Sequence, residues 1–354
     1  MKFQELVAQI SDGNCPIHIA DNPEIVGVAP IDSAPPQTLS YVEGEAFAEF
    51  LELTTASAAI LPENEVLQQR ATQRGLAWVA TSQPRLLFAR AIAIFYQPYQ
   101  PQLGIHATAT ISSQAQLGQQ VYVGANAVIL EDTLIGDNVC VYPNVVIYPG
   151  VTIGDGTILH ANCTIHERTQ IGNNCTIHSN SVIGSEGFGF VRTESGWWKM
   201  EQSGYVVLED GVEVGAGSTI DRPAVGETRV GQNTKIDNLV QVGHGCQLGA
   251  NCILVSQVGL AGGVTVGNDV TLAGQVGVAN RVKIGDGAIA SAKTGIHQNI
   301  APHQVVSGYP AIENQLWLKA SAIYKRLPEL YQTLRKIKRQ LEAIVSSPSS
   351  SKKE

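Results

Sequence analysis

Among the side chains of this 354-residue sequence that could move a proton, attack a carbonyl or hold a metal, one histidine stands in unusual company. His244 lies in Gln241-Val-Gly-His-Gly-Cys246, between two glycines, so its backbone is uncrowded and a ligand can approach the ring. Imidazole has an ordinary pKa of about 6.5 and can take a proton from an attacking nucleophile near neutral pH. A single histidine in a turn is more often structural, so the case for chemistry depends on what positions it.

What positions it is a ladder of aliphatic residues with a period of six. The ladder runs unbroken from Ile105 through Ile129, Ile147 and Ile165 to Ile183, resumes at Leu208, Val214 and Ile220, shifts by four residues, and continues from Val230 through Val242 and Leu260 to Ile284. It fades at Ala290 and Ile296, and Tyr309-Pro310 closes it. A period of six matches neither the 3.6 of a helix nor the 2 of a half-buried strand. It matches a parallel β-helix in which each six-residue unit is one short strand and one turn. Gly, Asn and Asp fill the turns, as in Ile135-Gly-Asp-Asn and Val266-Gly-Asn-Asp, because they tolerate positive φ. Three units make one triangular coil, so residues eighteen apart stack. Gly262 therefore stacks on His244 and, having no side chain, can turn a backbone N–H towards whatever the imidazole holds. A base beside an amide donor is what acyl transfer needs, one to accept the nucleophile's proton and one to stabilise the oxyanion.

The other chemistry-bearing residues have plainer readings. Cys163, Cys175, Cys246 and Cys252 each fall four places after a ladder aliphatic, the slot for small packed side chains, and no CxxC pair suggests metal or redox work. His160 and His178 are eighteen apart and should stack, with His166 one face further round. The β-helical γ-type carbonic anhydrases also carry histidines on their coils, but their pair is five residues apart and their Arg/Asp constellation is not evident here. No metal site is expected.

Residues 1–100 have a different texture and read as a small α/β domain. Helices are expected at Phe3–Ile10, Glu45–Leu53 and Pro84–Phe95, and strands at Ile25–Ala29, Thr38–Val42, Ala58–Leu61 and Leu76–Ala80. A Pro-rich segment from Gln97 leads into the β-helix at 101–310. The insertion 185–205, with Gly187-Phe-Gly-Phe190 and Trp197-Trp198, reads as a loop thrown from one edge. It would either pack on a neighbouring subunit or wall a long apolar ligand, because exposed paired tryptophans would be odd on a monomer. Residues 311–345 read as helices with seven basic residues against three acidic ones in a chain of net charge −8, a contrast that suits an acidic partner. The 346–354 tail is too polar and small to fold. The acidic balance argues against nucleic acid as the main partner. No charged-then-apolar leader and no membrane-length apolar run are visible, so a cytoplasmic protein is expected.

The His244 stretch, Lys235-Ile-Asp-Asn-Leu-Val-Gln-Val-Gly-His244, together with Thr219-Ile-Asp-Arg222 and Val306-Ser-Gly-Tyr-Pro310, resembles the UDP-3-O-acylglucosamine N-acyltransferases of lipid A synthesis, within the hexapeptide-repeat acyltransferase superfamily. The likeness covers residues 1 to about 345. A small N-terminal domain, a Gly-Phe-Gly-Phe loop and a C-terminal helical tail follow the family's order. The resemblance implies a mainly β fold whose β-helix is left-handed. It also implies transfer of an (R)-3-hydroxyacyl chain from the 4'-phosphopantetheine of acyl carrier protein to the 2-amino group of a UDP-3-O-acyl-glucosamine. His244 takes the place of the general base and Gly262 that of the oxyanion N–H. Asn238 and Gln241 match polar positions that hold the sugar, and Asp237 is a lesser candidate for orienting the imidazole. The reaction is direct, no cofactor is bound, and the family is a homotrimer with active sites between neighbouring coils.

Two positions depart from the family's pattern. Its N-terminal domain grips uracil with an aromatic-x-x-Asn-x-x-aromatic motif; here Tyr41 and Phe47 are present but Gly44 replaces the Asn. Where many relatives carry a histidine towards the nucleotide, this chain has Asn280-Arg281, and the guanidinium could hold a diphosphate. These changes leave room for an acyl- or acetyltransferase acting on another nucleotide amino sugar.

Overall fold

The computed structural model describes residues 1–13, 15–44, 48–308 and 314–346, and the chain divides into two compact units, Met1–Pro101 and Gln102–Glu354. In the first, a five-stranded sheet has the order β1-β5-β4-β3-β2, where β1 is Ile17–His18, β2 Gly27–Val28, β3 Thr38–Tyr41, β4 Ala58–Leu61 and β5 Ala77–Ala80. Only β1 runs antiparallel to its neighbour. All four residues of β4 and of β5 are buried, because both faces of the sheet are covered. Ile60 and Val79 pack on one face with Phe3, Leu6 and Ile10 of α1 (Phe3–Ile10) and Leu87 of α4 (Pro84–Phe95). Leu61 and Trp78 pack on the other with Leu51 of α2 (Ala48–Leu53) and Leu67 of α3 (Glu65–Gln73).

The sequence reading of this unit is matched at α1, β4 and α4 and missed β1 and α3. Only Leu67 and Ala71 of α3 are buried, too few apolar positions to carry a visible period. Its start was nonetheless marked: Asn64 Oδ1 accepts the N–H groups of Val66 and Leu67 at 3.0 and 3.2 Å, an ordinary N-cap. Of the expected Glu45–Leu53 helix, residues 45–47 lie outside the described residues, Phe47 among them.

The second unit is a parallel β-helix of three sheets with 10, 9 and 11 strands. Ladder aliphatics pair eighteen apart, Ile129 with Ile147 and Ile147 with Ile165, and form one continuous buried core. The slot four places after each aliphatic takes small residues as expected. Cys163, Cys175, Cys246 and Cys252 are buried there, alongside Thr157, Ser181 and Thr234 in the same slot of other coils, whose hydroxyls donate to carbonyls of the coil above. The third residue after the aliphatic turns the corner at positive φ, as Asn126, Asn144, Asn162 and Asn180 do.

The ladder outlasts its sequence pattern. Ala290 and Ile296 are buried, and the strand Ile289–Ala290 pairs with Val305–Val306, so the fading reflects a smaller side chain and not the end of the coils. Tyr309-Pro310 lies outside the described residues. The insertion leaves the coil after Val182–Glu186, forms a hairpin from Phe190–Thr193 and Gly196–Lys199, and returns at Tyr205–Leu208. Two helices follow, α5 (Asn314–Tyr324) and α6 (Leu327–Ser346). Among the described residues no helix is long and apolar enough to cross a membrane.

Candidate active site

The second residue after each ladder aliphatic has a constant task on one of the three sheets. Asp137, Asp155 and Asn173 each accept, through Oδ1, the N–H of the residue in the same slot one coil below: Gln119, Asp137 and Asp155 respectively. His244 occupies this slot on a different sheet, two places after Val242. There its imidazole caps nothing and, among the described residues, makes no hydrogen bond. The slot above it is Gly262, and the slot above that is Asn280. Asn280 does not cap Gly262, and among the described residues the Gly262 N–H donates to no group. One coil therefore presents a free imidazole and the next a free amide, on the same column of the solenoid.

Contact between them is close. A Cβ built on Gly262 would lie 2.5 Å from His244 Nε2 and 2.6 Å from Cε1, so only glycine fits over the ring. From the other side Gly187, at the base of the insertion, would place a Cβ 2.4 Å from His244 Cβ and 2.8 Å from Cγ. The imidazole is thus held between two glycines on separate elements. Gly243 has a different reason from ligand access: a Cβ there would meet Leu260 O at 2.7 Å, so it is the next coil that requires glycine.

A cleft of about 590 Å³ opens over the pair, a size suited to small ligands. His244, Gly262, Gln241 and Asn280 line it, with Asp221 and Lys199 adding charge and Phe188 and Phe190 an apolar wall. The two Phe rings lie 5.1 Å apart and are largely exposed, whereas Trp197 and Trp198 stand outside the cleft. Buried Arg222 secures the base of the insertion, pairing with Glu167 at 2.7 Å and Glu186 at 3.5 Å and donating to the Gln202 and Gly184 carbonyls. Glu186 also meets Lys199 at 2.6 Å, and that hydrogen bond holds its carboxyl below the usual range.

Several expected site residues are placed elsewhere. Asn238 does not reach the cleft; it takes the capping task of its slot, accepting Ala216 N–H at 2.7 Å. Asp237 does not orient His244. Its carboxylate accepts from the Ser256 hydroxyl and N–H and from Asn238 N–H, and these bonds, the Ser256 hydroxyl first, hold it below the usual carboxylate range. Arg281 turns a corner at positive φ with its Cγ lying along Gly263, outside the cleft that Asn280 lines. In the first unit Tyr41 stacks on Phe88, with ring centroids 4.6 Å apart, and lines a separate cavity of about 280 Å³ with Pro30, Ile31, Asp32, Glu43 and Phe50. Three charged residues of the cleft, Glu186, Lys199 and Asp221, are not among the expected site residues, although Asp221 lies in the Thr219-Ile-Asp-Arg222 stretch.

The histidines of the lower coils form ring stacks. His160 lies between Tyr142 and His178, at 5.0 Å from each, and His178 bonds Glu213 at 2.8 Å. His166 stacks on Tyr148, on another face. The cysteines are packing residues. Burial pushes the Cys163 thiol up to about 12 and Cys246 up to about 11, so both stay protonated at neutral pH and are poor nucleophiles. A water-soluble alkylating reagent is expected to leave Cys163, Cys175, Cys246 and Cys252 unmodified in the native protein and to label all four after denaturation. Peptide mapping by mass spectrometry checks this, and rapid native labelling would mean that the coils open.

Comparison with known proteins agrees with this architecture. Residues 22–94 match the family model described as UDP-3-O-(3-hydroxymyristoyl) glucosamine N-acyltransferase, and four overlapping or separate stretches between 114 and 262 match the bacterial transferase hexapeptide model. The UDP-3-O-acylglucosamine N-acyltransferase of Rippkaea orientalis is 63% identical over 97% of this chain and 99% of its own length. That of Nostoc punctiforme is 60% identical over the same shares. A crystal structure of UDP-N-acetylglucosamine acyltransferase from Arabidopsis superposes with a TM-score of 0.53 at 21% identity, covering 70% of this chain and 86% of that one, which speaks for the fold alone. With near-full-length identity of this order and a free imidazole set against a free amide, the chain belongs to the UDP-3-O-acylglucosamine N-acyltransferase family and is an acyltransferase.

Proposed function

We propose that this enzyme moves an (R)-3-hydroxyacyl chain from the phosphopantetheine thiol of acyl carrier protein to the 2-amino group of UDP-3-O-acyl-glucosamine, in the cytoplasm, as a step towards lipid A. The observation that carries the reading is the His244 imidazole lying directly against Gly262, whose N–H has no other partner among the described residues. His244 accepts a proton from the amine nitrogen as the C–N bond forms. The Gly262 N–H stabilises the oxyanion that the thioester carbonyl becomes. Collapse breaks the C–S bond, and the imidazolium returns the proton to the departing thiolate, so no acyl-enzyme is needed. The buried, protonated thiols fit that direct path.

Gln241 and Asn280 line the cleft where the sugar would sit. The cavity beside Tyr41 is the place for the uracil, with one ring face already taken by Phe88 and the family's Asn replaced by Gly44. The basic residues of α6, Arg335, Lys336, Lys338 and Arg339, suit an acidic carrier protein. The exposed Phe188, Trp197 and Trp198 suit burial between neighbouring copies in a trimer.

The test is a transfer assay with purified protein and (R)-3-hydroxyacyl carrier-protein donors of several lengths, offering UDP-3-O-acyl-glucosamine beside a nucleotide amino sugar lacking the 3-O-acyl chain. N-acylation of the first with little turnover of the second is expected. Turnover of the second alone would overturn the assigned acceptor.

A further inference from the structure

Asp221 is a half-buried carboxylate without a cation. Each of the other carboxylates in and around the cleft has one: Glu186 meets Lys199 and Arg222, and Glu167 meets Arg222. Asp221 enters no ion pair among the described residues. Its Oδ1 accepts the Ser185 hydroxyl at 2.7 Å and its Oδ2 accepts Gln241 Nε2 at 2.8 Å, two neutral donors that fix the carboxylate and leave further lone pairs unoccupied. Burial raises its carboxyl above the usual range, while Ser185, Gln241 and the charge of His244 pull the other way.

Its connections run to both sides of the base. Gln241 precedes His244 by three residues. The Asp221 carbonyl accepts the Thr228 hydroxyl, whose oxygen in turn accepts Gly245 N–H at 2.8 Å, the residue after His244. Ser185 begins the insertion that carries Gly187 onto the ring. A carboxylate so firmly placed at the wall of the reaction cleft, yet lacking a counter-ion, is a site for a cation supplied from outside.

Building on the function proposed above, we propose that Asp221 is the residue that selects an amine acceptor: its carboxylate receives the protonated 2-amino group as the sugar enters, and pairs with the His244 imidazolium once transfer has begun. The ammonium first releases one proton to water, and the neutral amine then attacks the thioester and gives its second proton to His244. That proton leaves with the thiol as the C–S bond breaks. Ammonium plus thioester thus give amide, thiol and one proton to water. A hydroxyl in place of the amine offers no charge and gains little from the carboxylate.

Equilibrium binding tests this with two ligands that differ in one group, UDP-3-O-acyl-glucosamine and its 2-hydroxyl analogue, UDP-3-O-acyl-glucose. The variant is Asp221→Asn, which preserves the shape and both hydrogen bonds: its Oδ1 can accept Gln241 Nε2, and its Nδ2 can donate to a rotated Ser185 hydroxyl. Calorimetry is expected to show the Kd for the amine ligand rising about 10- to 100-fold in the variant, as loss of a charge-assisted contact does. The Kd for the hydroxyl ligand should change less than about threefold, since neutral hydrogen bonds to the pocket are retained. Equal losses for both ligands, or no loss for either, would overturn the proposal. If the wild-type protein binds neither ligand, the assigned acceptor is wrong and the proposal falls with it; tight wild-type binding of both without discrimination in the variant sinks the role of Asp221 alone.

Discussion

Replacing His244 with alanine is expected to lower kcat for acyl transfer by about 10²- to 10⁴-fold, the usual worth of a positioned general base. The same change should move Tm by less than about 3 °C, because a half-exposed side chain without a hydrogen-bond partner among the described residues contributes little to stability. The imidazole rests between Gly187 and Gly262 and caps no backbone group, unlike Asp137 or Asp155 in the corresponding slot. A purely structural histidine would behave otherwise, with activity and Tm falling together. Steady-state kinetics and thermal unfolding on the same preparation separate the two.

Gly262→Ala is expected to be nearly as damaging, with a loss of about 10²- to 10³-fold, comparable to removing one oxyanion donor. The three atoms nearest the new methyl would all belong to His244, the closest at 2.5 Å, so the cost falls on the base and not on the coil. The ring must swing away, and the amide loses its open approach. Because both changes act on one unit, the His244→Ala/Gly262→Ala double variant should be little worse than the worse single one. A double variant whose losses multiply would show that the two residues act separately.

Most of the architecture was legible because a β-helix writes its geometry in its period. An aliphatic every six residues marks the coils, and eighteen-residue stacking sets Gly262 over His244. Motif likeness and closeness in sequence carried less than the period did. Asn238 resembled a sugar ligand by motif, but its place in the hexad assigns it to the cap that Asp137 and Asn173 also make. Asp237 is near His244 in sequence but bonds Ser256 on the coil above.

Asp221 was missed for the opposite reason. It lies twenty-three residues from His244, across the four-residue shift in register, so eighteen-residue counting does not bring the two together. Only the strand Thr219–Arg222, paired with Gln241–Val242, places it at the cleft. The glycine clamp was half visible: Gly262 follows from the period, but Gly187 arrives on an insertion whose path no period governs. The departures at Gly44 and Arg281 also separate. Gly44 follows Glu43, which lines the Tyr41 cavity, whereas Arg281 lies along a corner outside the cleft.

The central claim is that an imidazole and a backbone amide on successive coils transfer an acyl chain directly to an amine. The most direct measurement is a single-turnover reaction of purified protein with (R)-3-hydroxyacyl carrier protein and UDP-3-O-acyl-glucosamine, quenched and read by mass spectrometry of both product and protein. The account predicts an N-acylated sugar, no acylated protein at any time, and no product from His244→Ala on the same time scale. An acyl-enzyme that forms and decays at the rate of product appearance, or undiminished product from His244→Ala, would contradict it.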